Sequence, residues 1–404
     1  MSETQTKRQD ANYFREFRKL LPAAEKYTYM NSAGCGPLAK PVLDRMVQTF
    51  TTMAEEGQVN VKVHRELKEQ LEQVRRDVAA FIHAEPEEIF FVRCIAEGLN
   101  LINRMFSFEP GDEFLISDQE NPASILPCFV LGPELHTSTA VFKGTGNKED
   151  IIRQFQEALT DRTKMAVISH VFHTTGAAIP AEEICRECGK RGVISVLDGA
   201  QASGNIAIDV QKLGCDFYLL SCHKWLCGPE GIGAVYIQKK WLDKVRVPFG
   251  GVGMQDGFDF ARGTVTPRGD ARKFEYGGRH IPMYCAFSEC IRLAERIGLE
   301  NIIERKKELH RYCRQRFDQE LPEARILSPE DERLITGIFS FTLKDMDHKL
   351  LVARAWEEEQ VIIQWRTVNL YTGEEGIRVS LNWFITEEEI DKLVAFVKRV
   401  LGKG

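Results

Sequence analysis

A mostly parallel α/β sheet in a large domain, followed by a smaller α+β C-terminal domain, is the fold class this 404-residue sequence predicts. Two observations predict it. Short apolar runs alternate with amphipathic stretches through the middle of the chain, as expected of strands covered on both faces by helices. After "FEYGGRHIPMY" that alternation stops, and a long helical stretch precedes three further strand-like runs. The large domain is expected over 28–272, and the smaller one over 273–404 together with the N-terminal segment 1–27.

The opening "MSETQTKRQDANYFREFRKL" is polar and charged, has no signal-peptide core, and leads into a short helix. The apolar runs are "EIFFV", "EFLIS", "TAVFK", "KMAVISH", "VISVLD", "DFYLLS" and "GAVYI". Helical stretches such as "KEDIIRQFQEALTD" and "AEEICRECGKRG" separate them. "FGGVGMQDGFDFARGTVTPRGDARKF", spanning the glycine-rich region 249–273, is expected to be a long irregular loop. Such loops are functional or mobile, the plainer reading being a surface excursion. "CAFSECIRLAERIGLENIIERKKELHRYCRQRFDQEL" reads as one long helical region. The strands "GIFSFTL", "VIIQW" and "GIRVSL" follow it. A last helix, "TEEEIDKLVAFVKRVL", opens on Thr386 and Glu389, which are spaced for a capping box. No internal repeat or low-complexity linker interrupts the chain.

Hydrophobic residues make up 43% and charged residues 28%, values that place the chain among folded globular proteins. The net charge of −6 gives no basic footprint for nucleic acid, and no apolar run has the length of a membrane span. Eleven cysteines, an odd number scattered over a long chain, suggest free thiols in a reducing cytoplasm. Cys185 and Cys188 form a C-x-x-C without a second pair, so they read as helix-face fillers and not as metal ligands; no metal site is expected.

In "SCHKWLCGPEG" a lysine, Lys224, stands just after an apolar strand. It is either a loop lysine reaching water or an amine kept neutral by desolvation so that it can attack a carbonyl. In open parallel sheets ligands sit at the carboxyl ends of strands. Those ends carry Asp198 before "GAQASG", His170 before "VFHTTG", Ser221 before "CHK", and "RCIAEGLN" after "EIFFV". Together they offer a carboxylate, histidines, hydroxyls and one lysine. Pyridoxal phosphate needs this set: a carboxylate for its ring nitrogen, an amine for its aldehyde and donors for its phosphate. The start of a helix at "AEGLNLINRMF" suits the phosphate.

The run "VLDGAQASGNIAIDVQKLGCDFYLLSCHKWLCGPEGIGAVYI" resembles the core signature of the class V aminotransferase family, fold type I pyridoxal-phosphate enzymes that include cysteine desulfurases, C–S lyases and isopenicillin N epimerases. The resemblance runs from "YTYMNSAGCGPL" to "IRVSLNWFITEEEIDKLV". It implies that Lys224 is the Schiff-base lysine and later the proton shuttle. It implies that Asp198 pairs with the pyridine nitrogen and that Gln201 reaches the ring hydroxyl. Ser221, His223 and the backbone of Ala96 and Glu97 would hold the phosphate. Arg378 would clamp the substrate carboxylate, a bidentate task suited to a guanidinium; Arg366 and Asn31 join it on the substrate side. The family's active sites borrow residues from a partner subunit, so a homodimer is implied.

Four positions depart from the family pattern. Ala96 stands where the family usually has Thr or Ser. Asn121 stands where many members stack a ring. His173 replaces an asparagine near the ring oxygen, and is grouped with Lys224 and Asp198 in the catalytic set. Gly278 replaces a partner-subunit Thr and is followed by Arg279, a candidate for the lost phosphate charge, and by His280. The departures leave two readings: a divergent enzyme with its own substrate, or a decayed cofactor cup. His173, Asn121, Arg279, His280 and Trp365 either set the substrate or serve core and rim packing.

The segment between Arg366 and Arg378, "TVNLYTGEEGI", is short and lacks the nucleophilic cysteine that the family's desulfurases carry there. The expected reaction is therefore C–S lyase β-elimination on a cysteine- or cystine-like amino acid. Transamination and epimerisation by the same machinery are the alternatives, and a cofactor-free dimeric interaction module is a third.

Overall fold

The computed structural model describes residues 11–369 and 373–402. Its main sheet holds seven strands: β1 (Ile89–Val92), β2 (Glu113–Ser117), β3 (Ser138–Phe142), β4 (Thr163–Ser169), β5 (Ile194–Asp198), β6 (Phe217–Ser221) and β7 (Gly233–Ile237). Their order is β1-β7-β6-β5-β4-β2-β3. β7 runs antiparallel to both neighbours, β1 and β6. The pairs from β6 across to β3 are parallel.

Every residue of β5 and β6 is buried, and the two faces feed separate cores. Ile168, Leu197 and Leu220 pack into one, and Val167, Val196 and Leu219 into the other. This is the alternation that a strand's period of two demands when helices lie on both sides. The apolar alternation ends in polar residues at the carboxyl ends, namely Ser117, Ser169, Asp198 and Ser221. Of these, Ser169 and Asp198 line the space above the sheet edge.

The hairpin β8 (Gln255–Asp259) and β9 (Thr264–Pro267) comes next in the chain. A second, antiparallel sheet holds β10 (Arg325–Ile326), β11 (Ile338–Thr342), β12 (Gln364–Asn369) and β13 (Glu374–Ser380), in the order β10-β11-β13-β12. Arg378 lies on β13 opposite Gln364 of β12 and Ser340 of β11. The last helix, Glu387–Val400, opens with the expected reciprocal cap: Thr386 accepts from the Glu389 amide and Glu389 accepts from the Thr386 amide.

Three expectations change. The region 249–273 is not wholly irregular, because it contains the β8–β9 hairpin. The Asp259 carboxylate accepts from the amides of Ala261 and Arg262, and Gly263 turns the chain with φ +65°. Glycine content had hidden a turn. The single long helical region is two helices, Ile281–Ile297 and Leu299–Glu320, broken at Gly298 with φ +86°. "VIIQW" divides at Ile363: Val361–Ile362 pairs in parallel with Thr28–Tyr29, and β12 begins at Gln364. Leu370, Tyr371 and Thr372, within the cysteine-free segment, lie outside the described residues, as do 1–10 of the polar opening. Cys185 and Cys188 are both buried in the core on the helix Ala181–Arg191.

Candidate active site

The carboxyl ends of the strands enclose a cavity of about 250 Å³. Its lining includes Ala96, Asn121, His173, Asp198, Gln201, His223 and Lys224, all singled out from the sequence. Cys94, Ala123 and Ser169, which were not, line it too.

Lys224 sits on the turn after β6. A second loop crosses it there: the Gly36 amide donates to the His223 carbonyl at 2.7 Å. A Cβ on Gly36 would lie 2.1 Å from the Lys224 carbonyl oxygen, so only glycine fits. Lys224 is half-buried, open on the cavity it lines. Burial pulls its amine down to about 8; the Asp198 carboxylate resists, and the Arg378 and Arg366 cations reinforce the fall.

Asp198 is buried at the end of β5. The Ser124 hydroxyl donates to its Oδ2 at 2.5 Å and the Ala200 amide to its Oδ1 at 2.8 Å. Gln201 is held at both ends of its amide: the Trp225 indole donates to its oxygen at 2.9 Å, and its nitrogen donates to the Ala33 carbonyl at 2.8 Å. That leaves one N–H free.

His173 is buried, with Nδ1 3.1 Å from the Gln119 carbonyl oxygen. A carbonyl only accepts, so Nδ1 carries the proton and Nε2 keeps its lone pair. Burial, then the nearby Arg378, Lys224 and Arg366, pulls the ring down to about 3, so it is neutral at pH 7. His223 is pulled down to about 4 by burial and by Lys224.

Arg378 is 1% exposed. Its Nη1 donates to the His173 carbonyl at 3.2 Å, while Nε and Nη2 have no partner. Arg366 Nε is also buried without a partner, and among the described residues neither arginine has a carboxylate partner. Burial, then Arg366, pulls the Arg378 guanidinium below its ordinary value. A guanidinium keeps its proton, so the pair presents an unmet demand for an anion. Asn31, whose amide donates to Gln364 at 3.3 Å, has an unpartnered Oδ1.

Of the remaining expected residues, Asn121 lies on the cavity while Gly278 and Arg279 stand apart. Asn121 caps the helix Pro122–Leu135 by accepting from the Ala123 amide, at the cavity wall. Glu97 turns its carboxylate back to the Arg93 amide. Gly278 and Arg279 do not line the cavity within their own chain. Arg279 Nε lies 3.7 Å from Glu275 Oε2 without a hydrogen bond, and the guanidinium is 6.0 Å from the Tyr276 ring centroid.

The protein's own polar atoms show what the site can hold. Ser221 Oγ and His223 Nδ1 are buried and unpartnered. The helix Ile95–Met105 opens at Cys94 with no side-chain cap, which leaves its first amides free for an anion. A phosphate would satisfy all of these groups. Lys224 and Asp198, on the same cavity, suit an aldehyde and a ring nitrogen. The residues fit pyridoxal phosphate.

Residues 28–393 match the aminotransferase class-V family. The chain belongs to the class-V aminotransferase family. As a member it is a pyridoxal-phosphate-dependent enzyme. A cysteine desulfurase of Dickeya dadantii is 30% identical over 340 residues, covering 82% of this chain and 81% of that relative. A cysteine desulfurase of Serratia proteamaculans is 28% identical over 385 residues, covering 92% and 93%. The fold matches a cysteine desulfurase of Thermococcus onnurineus with TM-score 0.87 and 23% identity, covering 96% and 98% of the two chains. It also matches the cystine C–S lyase C-DES, solved with its product cysteine persulfide, with TM-score 0.85 and 23% identity over 93% and 98%. Among the described residues no helix is long and apolar enough to cross a membrane.

Proposed function

We propose that this class-V enzyme eliminates sulfur from a cysteine- or cystine-like amino acid, with Lys224 as the proton-transfer amine. The observation that carries the reading is the depressed Lys224 amine and buried Asp198 on one cavity, with two guanidinium groups, close enough to act on Lys224, that lack carboxylate partners among the described residues. Bound pyridoxal phosphate supplies an aldehyde for Lys224 and a protonated ring that takes up the electron pair left at Cα.

Asp198 keeps the ring nitrogen protonated, steadied by Ser124 and Ala200. Gln201 offers its free N–H to the ring oxygen. Ser221, His223 and the amides at Ala96 and Glu97 hold the phosphate. Arg378 and Arg366, with Asn31, receive the substrate carboxylate. Lys224, neutral for a sizeable fraction at pH 7 to 8, removes the Cα proton. The neutral His173 presents Nε2 as an acceptor without adding charge. The Cβ–S bond would then break with its electron pair leaving on sulfur, released as sulfide from a cysteine-like substrate or as a persulfide from a cystine-like one. Hydrolysis of the remaining fragment would give pyruvate and ammonia.

The curated relatives' names favour a second reading, sulfur transfer to a protein cysteine, in which the carbon product is alanine. No cysteine lies between Arg366 and Arg378, but two lie near the cavity. Cys94 lines it at the free helix start. Cys35 is half-buried on the loop crossing Lys224, and burial, then Glu230, pushes its thiol up, which disfavours the thiolate. Product analysis separates the readings. Elimination predicts pyruvate and ammonia from wild type and from the Cys35→Ser, Cys94→Ser double variant alike, with rates within about threefold of each other. Alanine as product, or loss of turnover in the double variant, would overturn it.

The same reading carries a cytoplasmic homodimer, with a large domain over 28–272 and a smaller one from 1–27 and 273–404. The two separate sheets support the division, and eleven free cysteines support a reducing compartment. Leu43, Val47 and Phe50 form an exposed stripe at helical spacing, and Phe258 and Phe260 are exposed at the β8–β9 hairpin. Apolar exposure on this scale suits a partner subunit. Sedimentation velocity is expected to give twice the chain mass of 46.0 kDa; a monomer at micromolar concentration contradicts the dimer.

A further inference from the structure

Beneath the cavity floor lies a carboxyl group that the elimination reading leaves unused. Glu120, on the connection between β2 and the helix Pro122–Leu135, is fully buried. Ser117 Oγ donates to its Oε1 at 2.6 Å. The Ser169 amide and hydroxyl donate to its Oε2 at 2.9 and 2.5 Å. Ser169 ends β4, stands in register opposite Asp198 of β5, and lines the cavity. Two buried carboxylates therefore flank one serine at the end of the sheet. Asp198 from β5 and the Cys128 thiol from the helix Pro122–Leu135 are the titratable groups that act on Glu120 or feel it. Among the described residues no cation pairs with it.

An uncompensated buried carboxyl is costly. Three donors reduce that cost, yet Ser117 alone would close the strand end. The Ser169 link ties Glu120 to the wall where Asp198 works. We propose that Glu120 is a positioning residue of this site: it fixes Ser169 against Asp198 and, through its own charge, sets how firmly Asp198 holds a proton on the cofactor's ring nitrogen. The proposal rests on the assignment of Asp198 to that nitrogen.

Burial lifts the Glu120 carboxyl to about 7; the Ser117 and Ser169 hydrogen bonds oppose this, and Asp198 adds to it. Glu120 is thus protonated on the acid side of neutrality and negative on the alkaline side. When it ionises, releasing its proton to solvent, the negative potential around Asp198 deepens. A proton on the ring nitrogen is then held more tightly. The sign for folding follows from the same shift. Because the folded value is raised, the contribution of Glu120 to stability is present below its ordinary value near pH 4.3 and is lost as pH rises toward about 7.

The test is Glu120→Gln in the full chain loaded with pyridoxal phosphate. The amide oxygen can take the Oε2 place and accept from Ser169, while the amide nitrogen donates to the Ser117 hydroxyl, so the fold tolerates the change. The visible spectrum of bound cofactor is titrated from about pH 6 to about pH 8. Wild type is expected to show an inflection near neutrality that Glu120→Gln lacks; the same inflection in both proteins overturns the proposal. Ser169→Ala, which keeps the charge and the backbone amide bond but removes the hydroxyl donor, is expected to retain the inflection. Cofactor loading is read separately by mapping the modified peptide. Failure to load at Lys224 overturns the site assignment, whereas equal inflections with normal loading overturn the role of Glu120 alone. If Glu120→Gln does not fold, infrared difference spectra of glutamate-labelled wild type, with or without cofactor, decide the matter. Loss of a buried protonated carboxyl signal between about pH 6 and about pH 8 is expected, and its absence refutes the proposal.

Discussion

Lys224→Ala is expected to abolish covalent cofactor attachment and to lower kcat/KM by about 10⁴-fold or more, the largest effect of any single change in this chain. In the proposed mechanism two roles converge on one amine: it would bond the cofactor aldehyde between turnovers and move the substrate proton during them. Both require a neutral amine, and the site supplies it chiefly by burial, against the opposing pull of Asp198. Borohydride treatment of wild type should fix the cofactor on the peptide containing "SCHKW", and the variant should yield no such peptide. Because Lys224 lies on a turn crossed closely by Gly36, the substitution should leave the fold intact, which circular dichroism checks. Turnover within tenfold of wild type would remove Lys224 from the centre of the mechanism.

The reason this lysine could be found in the sequence is physical. A parallel strand buried on both faces leaves a long apolar run, and the first polar residues after it must lie at the sheet edge. Asp198, Ser221 and Lys224 each follow such a run, so their convergence was legible before any coordinates. Glu120 and Ser124 were not. Both sit in "DQENPASILP", a stretch read for what Asn121 lacked and not for the polar residues around it. Their importance comes from partners far along the chain: Ser124 meets Asp198 and Glu120 meets Ser169. No local spacing encodes such pairings. Cys35 and Cys94 were hidden for a similar reason, since only the folding of separate loops onto the cavity brings them near Lys224. The break at Gly298 could have been read from "ERIGLEN", where a glycine stands between two helical runs. The β8–β9 hairpin was masked because its strands are largely exposed and lack the apolar alternation that marks half-buried strands.

Arg378→Met is expected to move stability and catalysis in opposite directions. The side chain is 1% exposed, and Nε and Nη2 have no partner within the described chain. A buried guanidinium left in this state costs folding free energy, and an apolar side chain of similar length removes that cost. The protein without substrate should therefore gain about 1 kcal/mol or more, after the lost bond to the His173 carbonyl is set against it. Catalysis should fall, because the substrate carboxylate loses its bidentate partner while its own desolvation remains. Removing one member of a buried charge pair costs about 2–5 kcal/mol, or about 30- to 5,000-fold in kcat/KM. Arg366→Met should lose less, since Arg366 is only partly buried and keeps solvent as an alternative partner. Denaturant midpoints without substrate, paired with kcat/KM, provide the measurement. A stabilised protein with a crippled kcat/KM would mean that the cation is held unpaired for the substrate. A destabilised protein with unchanged kcat/KM would mean that Arg378 is structural and that the carboxylate binds elsewhere.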